Sequence, residues 1–332
     1  MNNYPRITII TPSFNQGKYI EKTIRSIVDQ NYPNLEYFII DGGSTDNTID
    51  IIKKYESQIK YWVSEPDNGQ AHAINKGLAK ATGDVFNWIN SDDYMEPGSL
   101  FHIAEAFVKK PGIKVVCGYT HCFYDETGKT SHTYRMGIKR SVAQTVLNVE
   151  MNQPGTFYDL RTIQELGGIN ESLRYVFDSE LWFRYLCKFG MNDICLSNLL
   201  ICHFRLHAQS KTVHEGFELF WHEHKDIWYS IAQQIDTPPY LLNYIHNDLV
   251  NKTYSTVPWN INALETIKYN SHFAHLYMYL LYKDFKYAEA RELFLLTLKA
   301  NDIRLEVKYF LLAVKIFLLP RRLLTQLRNR NG

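Results

Sequence analysis

The chain has 332 residues, 45% hydrophobic and 21% charged, which is enough for a sizeable core and about two domains. Its formal net charge of +1 supplies no global field for a polyanion, so no nucleic-acid partner is expected. Its five cysteines form no CxxC pair, which excludes a zinc knuckle or a disulfide framework as the organising device and fits a reducing compartment.

The opening stretch MNNYPRITIITPSFN lacks a charged-then-apolar leader pattern, so a cytoplasmic protein is expected. Within it RITIIT (Arg6–Thr11) is short and β-branched and predicts a strand. Ile20, Ile24, Ile27 and Val28 share one face of a following helix, which NYPN stops at Pro33. LEYFIID (Leu35–Asp41) is the next strand. GGSTDNT then turns into a helix with Ser44 as its expected cap and Asp46 in the positive first turn. IKYWVSE, the helix GQAHAINKGLAKATG and the strand DVFNWIN continue the alternation. Strands alternating with helices predict an α/β fold on a mostly parallel sheet with right-handed crossovers. GSLFHIAEAFVKK reads as a helix and IKVVCGYT as a strand. The region to about residue 215 mixes both types, with SELWFRYLCKF as its clearest helix, ended by Gly190. In CHFRLH, alternation places His203, Arg205 and His207 on one strand face, which argues against a helical zinc site. His222 and His224 in FWHEHKD read as exposed helix residues. From about residue 216 the pattern is almost wholly helical, with DTPPY as punctuation.

Ligands collect outside the carboxyl ends of strands in such sheets, and those ends are polar here. TPSFNQG offers Thr11, Pro12, Ser13 and Asn15 beside a helix start, where backbone N–H groups take anions; Asn15 as an ordinary cap is equally consistent. In DGGSTDNT, Asp41 ends an apolar strand and Gly43 allows close backbone approach, an arrangement suited to ribose or base recognition or to a tight turn. No GxGxxG or Walker lysine motif is present. Asp67 ends the third strand as a ligand, a turn residue or a cap. WINSDDY places Asn90, Ser91, Asp92 and Asp93 at the fourth, where hard oxygens suit Mg²⁺ or Mn²⁺ with diphosphate, or simply make an acidic turn.

Assembled in order, ITPSFN, DGGSTDNT, SEPDNGQAHAINKG, WINSDDY, NQPGTFYDLRTIQELGGINESLRYVFDSELWFR and FRLHAQS resemble the inverting family 2 glycosyltransferases over about residues 5–215. The resemblance implies a GT-A fold with a C-terminal helical extension. It divides the chain into a nucleotide-sugar half (1–118), an acceptor and catalytic half (119–215) and the helical extension (216–332). It implies a nucleotide-diphosphate sugar as donor, UDP-sugar by default, a glycan or lipid-linked oligosaccharide as acceptor, and Mn²⁺ or Mg²⁺ as cofactor. Pro12, Ser13, Asp41 and Asp67 match nucleotide-holding positions, with Asn75 on the helix beside them. Asp92 matches the last acid of the DxD motif, with Asp93 adjacent and His207 matching a histidine near the metal. Asp178 matches the catalytic base, and Gln153, Glu180 and Trp182 fall at the acceptor site. An N-cap on SELWFRYLCKF is the competing role for Asp178. Two positions depart from the pattern: Asn90 replaces the first acid of DxD, and Phe177 replaces the acid before the base. A nucleotidyltransferase shares the sheet and the acidic site, but TPSFNQGKY carries only Gly17 and Lys18 where such enzymes bear a basic glycine-rich loop. A sugar-nucleotide-binding protein without activity is the non-enzyme alternative.

The last segment, YFLLAVKIFLLPRRLLTQLRNR, is apolar, then basic, and too short to span a bilayer. It fits a helix packed on its own domain, one lying on the inner face of the plasma membrane with Lys315, Arg321, Arg322, Arg328 and Arg330 toward anionic lipid, or a partner-binding helix.

Overall fold

The computed structural model describes residues 4–148, 150–211, 217–246, 258–259, 263–300 and 307–318. The chain divides into two compact units, residues 1–138 with 149–223, and residues 139–148 with 224–332.

The first unit is built on a nine-stranded sheet. β1 (Ile7–Ser13) is buried at every position, as a central strand of β-branched residues should be. It pairs in parallel with β2 (Leu35–Asp41) on one side and β4 (Val85–Trp88) on the other, and β3 (Tyr61–Ser64) extends β2 in parallel. Helices α1 (Ile20–Val28), α2 (Thr48–Lys54) and α3 (Gln70–Leu78) are the crossovers. α1 buries Ile20, Thr23, Ile24, Ile27 and Val28, which the 3.6-residue period places on one face. Ile7, Ile9, Ile24, Ile39 and Phe157 belong to the same core cluster, which reaches across the sheet to Val116 and Ile201.

The parallel rule stops at β4. β5 (Tyr94–Met95) and α4 (Ser99–Lys109) lead into β6 (Val115–Tyr124) and β7 (Thr130–Tyr134). β8 (Thr156–Asp159) then enters antiparallel to both β4 and β6 and joins the two halves. After α6 (Leu160–Glu165) and α7 (Phe177–Phe189), β9 (Ile194–Leu206) pairs in parallel with β6 and antiparallel with β5. The order is β3-β2-β1-β4-β8-β6-β9-β5, with β7 on β6. The sheet is thus parallel in its first half and mixed in its second.

The second unit is helical. The short α5 (Val142–Val146), from the 139–148 excursion, packs with α8 (Phe217–Gln234), α9 (Pro239–His246), α10 (Ala263–Lys283), α11 (Tyr287–Ala300) and α12 (Val307–Leu318). Trp228 Nε1 donates to Val146 O at 3.0 Å, and Tyr269 OH donates to Trp228 O at 2.7 Å. His224 is buried beside Trp228, which corrects its reading as an exposed helix residue. No helix among the described residues is long and apolar enough to cross a membrane. Arg321, Arg322, Arg328 and Arg330 lie outside the described residues.

Candidate functional site

Parallel register sets Ser13, Asp41 and Ser64 side by side at the carboxyl ends of β1, β2 and β3. Asp41 is fully buried and holds both its own loop and the end of β3. Oδ2 takes bonds from Gly43 N, Ser44 N and Ser64 Oγ, and Oδ1 from Ser44 Oγ. Gly43 makes this possible at φ +85°, where a side chain would be strained. Asp41 thus organises the loop after β2 and ties it to the end of β3. Ser44 does not cap α2. That helix starts at Thr48, whose N and Oγ1 donate to Asp46 Oδ1. Asn15, at φ 52°, accepts from Thr45 N through Oδ1 and donates its own N to Ser44 Oγ, so it knits two loops together rather than capping α1. The Thr11 hydroxyl faces the core and accepts from Tyr37 OH at 3.1 Å.

Binding capacity remains at two of these positions. Ser13 Oγ is buried beside Pro12 and has no hydrogen-bond partner among the described residues. Asp67 spends Oδ1 on Gly69 N, while Oδ2 faces the glycine turn, where a Cβ on Gly42 would stand 2.9 Å from it.

The acidic turn after β4 hangs from α1, because Thr23 Oγ1 lies within hydrogen-bond reach of both Ser91 O and Asp93 O. Asp93 is buried with both oxygens engaged. Oδ1 accepts from Arg205 N at 2.9 Å, and Oδ2 from Asn90 Nδ2 at 3.3 Å. Burial and the neighbouring Asp92 push its carboxyl well above the ordinary range. Asp93 thus pins β9 to the turn. Asn90 bridges Asp93 to α3 by accepting from Gln70 Nε2 at 2.7 Å, and Gln70 Oε1 accepts from Lys211 Nζ at 3.0 Å. Arg205 donates Nε to Asp92 O and NH1 to Asp125 Oδ1, and its guanidinium lies over the rings of Tyr19 and Phe123.

Asp92 differs from its neighbour. It keeps solvent access, and its Oδ2 is 2.9 Å from His207 Nε2. Ligands on adjacent corners of an octahedral ion with bonds of about 2.1 Å stand about 3 Å apart, so this pair fits one edge of a Mn²⁺ or Mg²⁺ shell. Gln209 N donates to His207 Nδ1, leaving Nε2 as the ring nitrogen that faces Asp92. Among the described residues no cluster of three or more His, Cys, Asp and Glu side chains is arranged to hold a metal. The remaining corners would fall to ligand and water oxygens.

Asp178 sits in the first turn of α7, one residue past its start, with Val176 in the cap position. Its Oδ1 accepts from Ser179 N at 2.7 Å. Desolvation raises its carboxyl to about 6; the Ser179 N–H bond and the charge of Lys211 oppose the rise, and Glu223 adds to it. Phe177 packs on Trp88 at 6.1 Å, so the position where an acid was expected is an apolar anchor that seats the helix against β4. The chain entering α7 is held by Glu223, whose carboxylate accepts from Arg174 N, Tyr175 N and Val176 N at 2.8–2.9 Å.

Comparison with known proteins bears on this geometry. Residues 8–167 match the model of Glycosyl transferase family 2. The putatively named teichuronic acid biosynthesis glycosyltransferase TuaG of Bacillus subtilis is 31% identical over 212 residues, which cover 59% of this chain and 80% of TuaG. The chain is a family 2 glycosyltransferase. The glycosyltransferase also resembles S. aureus TarS 1–349 in complex with UDP-GlcNAc, with TM-score 0.52 and 18% identity over 82% of this chain and 81% of that one. It resembles the mannosyltransferase PcManGT of Pyrobaculum calidifontis, in complex with GDP-Man and Mn²⁺, with TM-score 0.54 and 16% identity over 98% and 84% of the two chains. These likenesses show the GT-A fold. The nucleotidyltransferase and inactive-binder readings gain no support from them.

Several expected contacts of the glycosyltransferase have other employment. Asn75 donates to Ile169 O and Glu171 Oε1 and accepts from Ile169 N, so it ties α3 to the loop after α6. Gln153 is buried and donates to Asn87 Oδ1 and Trp88 O, which fixes β4 from behind. Glu180 is fully buried in a two-pronged pair with Arg184, which also holds Leu166 O and Gly168 O. Trp182 is buried and stacked on Tyr185. The last three side chains are buried and engaged with the protein's own groups. Gln70, Lys211 and Glu223 were not anticipated. Lys211 follows His207 by four residues, the one local hint of its position; Gln70 and Glu223 act through partners distant in sequence.

Proposed function

We propose that this glycosyltransferase moves a sugar from a nucleotide-diphosphate donor, a UDP-sugar by preference, to a hydroxyl of a glycan or lipid-linked oligosaccharide, with inversion. Residues 1–118 serve the donor and 119–215 the acceptor. Asp178 is the base, and the observation that carries the reading is its carboxyl, raised to about 6 at a helix start beside the donor strands. Such a group is ionised at neutral pH yet basic enough to take a proton.

Ser13 and Asp67 offer the hydroxyl and carboxylate for ribose or base, with the buried Pro12 next to Ser13 on β1. Asp92 and His207 would hold a Mn²⁺ or Mg²⁺ ion. When bound, that ion neutralises the charge developing on the departing diphosphate. Asp178 removes the acceptor hydroxyl proton as the oxygen bonds to the anomeric carbon. The bond to the diphosphate oxygen breaks on the opposite face, and its electron pair leaves with the nucleoside diphosphate. A single displacement of this kind inverts the anomeric centre. The same reading places the enzyme in the cytoplasm, against the inner face of the plasma membrane.

A panel of nucleotide sugars, with and without Mn²⁺, tests it. The true donor raises the melting temperature only with the ion present; at 100 times its Kd it adds about 2.7 kcal/mol. It then yields a nucleoside diphosphate and an inverted glycoside. Release of inorganic diphosphate, or retention at the anomeric carbon, refutes the reading.

A further inference from the structure

The second unit carries a surface that catalysis does not use. Along α12, Tyr309, Leu312, Ala313 and Ile316 are buried, and Tyr309 stacks on Phe294 of α11. The opposite face is equally apolar but open. Val307 is 76% exposed, Leu311 60%, Val314 50% and Phe310 46%. Steps of three and four residues place these side chains in one stripe. Lys308 and Lys315, two turns apart, lie in a row along one flank.

From Val307 onward the chain contains no Asp or Glu. Its charges are Lys308, Lys315, Arg321, Arg322, Arg328 and Arg330, the arginines lying outside the described residues. Among the described residues, Lys308 and Lys315 set basic charge beside an exposed apolar stripe in a chain whose net charge is only +1. An antiparallel face-to-face pairing of two copies would bring the lysine rows of both together, at a repulsive cost. An anionic bilayer satisfies both features. The apolar side chains enter the acyl boundary, while the lysine stems lie along it and keep their ammonium groups among the headgroups.

We propose that the Val307–Phe310–Leu311–Val314 face of α12 is a docking surface for anionic lipid bilayers. The inference deepens the membrane placement above and is independent of the catalytic assignment. Full-length protein is floated with vesicles of phosphatidylcholine alone and with 30% phosphatidylglycerol. The protein is expected to float with the anionic vesicles. Lys308→Gln with Lys315→Gln should weaken partitioning about 30-fold. Leu311→Asn with Val314→Asn should weaken it roughly tenfold or more, with unchanged melting and unchanged donor hydrolysis. If wild type floats and the Asn pair floats equally, the membrane placement stands and this surface is the wrong one. If wild type stays with the soluble fraction, both fall. If light scattering shows a dimer that the Asn pair abolishes, the stripe is a self-association face and the proposal is overturned.

Discussion

Replacing Asp178 by Asn should stop transfer and strengthen the fold. A carboxyl whose folded value is raised holds its proton to a higher pH than in the unfolded chain. Its contribution to stability is therefore complete at low pH and is lost as pH rises from the ordinary 3.8 through about 6. The difference corresponds to about 3 kcal/mol once the group is ionised. The residue keeps some exposed surface, and solvent screening there trims the figure to about 2 kcal/mol. An Asn Oδ1 can still accept from Ser179 N, so the helix start survives. For a unit of this size the gain is worth roughly 4–8 °C of melting temperature. The assay is a melting series of both proteins from pH 4.5 to 8, alongside transfer and donor-binding measurements at pH 7.5. The variant should already melt slightly higher at pH 4.5, and the two curves should diverge further through pH 6. Donor affinity should stay within a few-fold, while transfer falls by 10² or more. A variant that melts lower at pH 8, or that transfers at the normal rate, refutes the assignment of a strained base.

The wild-type log(kcat/KM) should fall with unit slope below about pH 6, measured by nucleoside diphosphate release, because only the ionised Asp178 accepts the proton. Asp92→Ala should raise the Mn²⁺ concentration needed for half-maximal donor binding by at least about tenfold in thermal-shift titrations, with His207→Gln having a smaller effect. Asn90→Asp restores a second acid to the turn but aims it at the buried Asp93, so it should destabilise the protein by about 1–3 kcal/mol in urea melts rather than improve activity. Glu223→Ala should cost about 2–4 kcal/mol, through its three backbone bonds, and should lower kcat more than donor affinity.

The first half of the fold was readable because its period is local: short apolar strands, each followed by an amphipathic helix and a polar strand end. The second half was not, because the entry of β8 between β4 and β6 depends on pairings between residues far apart in the chain. At the site, a motif locates a carboxylate without saying how it is spent. Asp41 and Asp92 look alike in sequence, both at the ends of apolar strands. One is consumed by Gly43, Ser44 and Ser64, and the other keeps an oxygen toward solvent and His207. Asn90 looked like a lost ligand. It is instead the amide that can accept from Gln70 and donate to Asp93 at once, a combination that a carboxylate lacks.

The grip of Glu223 on the segment before α7 sets a timetable for biosynthesis. Its partner Val176 lies 47 residues earlier, while the parallel strands β1 to β4 are complete by Trp88. At about 5–20 residues per second, a growing chain has strands β1 to β4 many seconds before Glu223 leaves the ribosome, but His207 only about 1–3 s before it. A chain stopped between His207 and Glu223 would carry the Asp92–His207 pair without the anchor of the segment before α7.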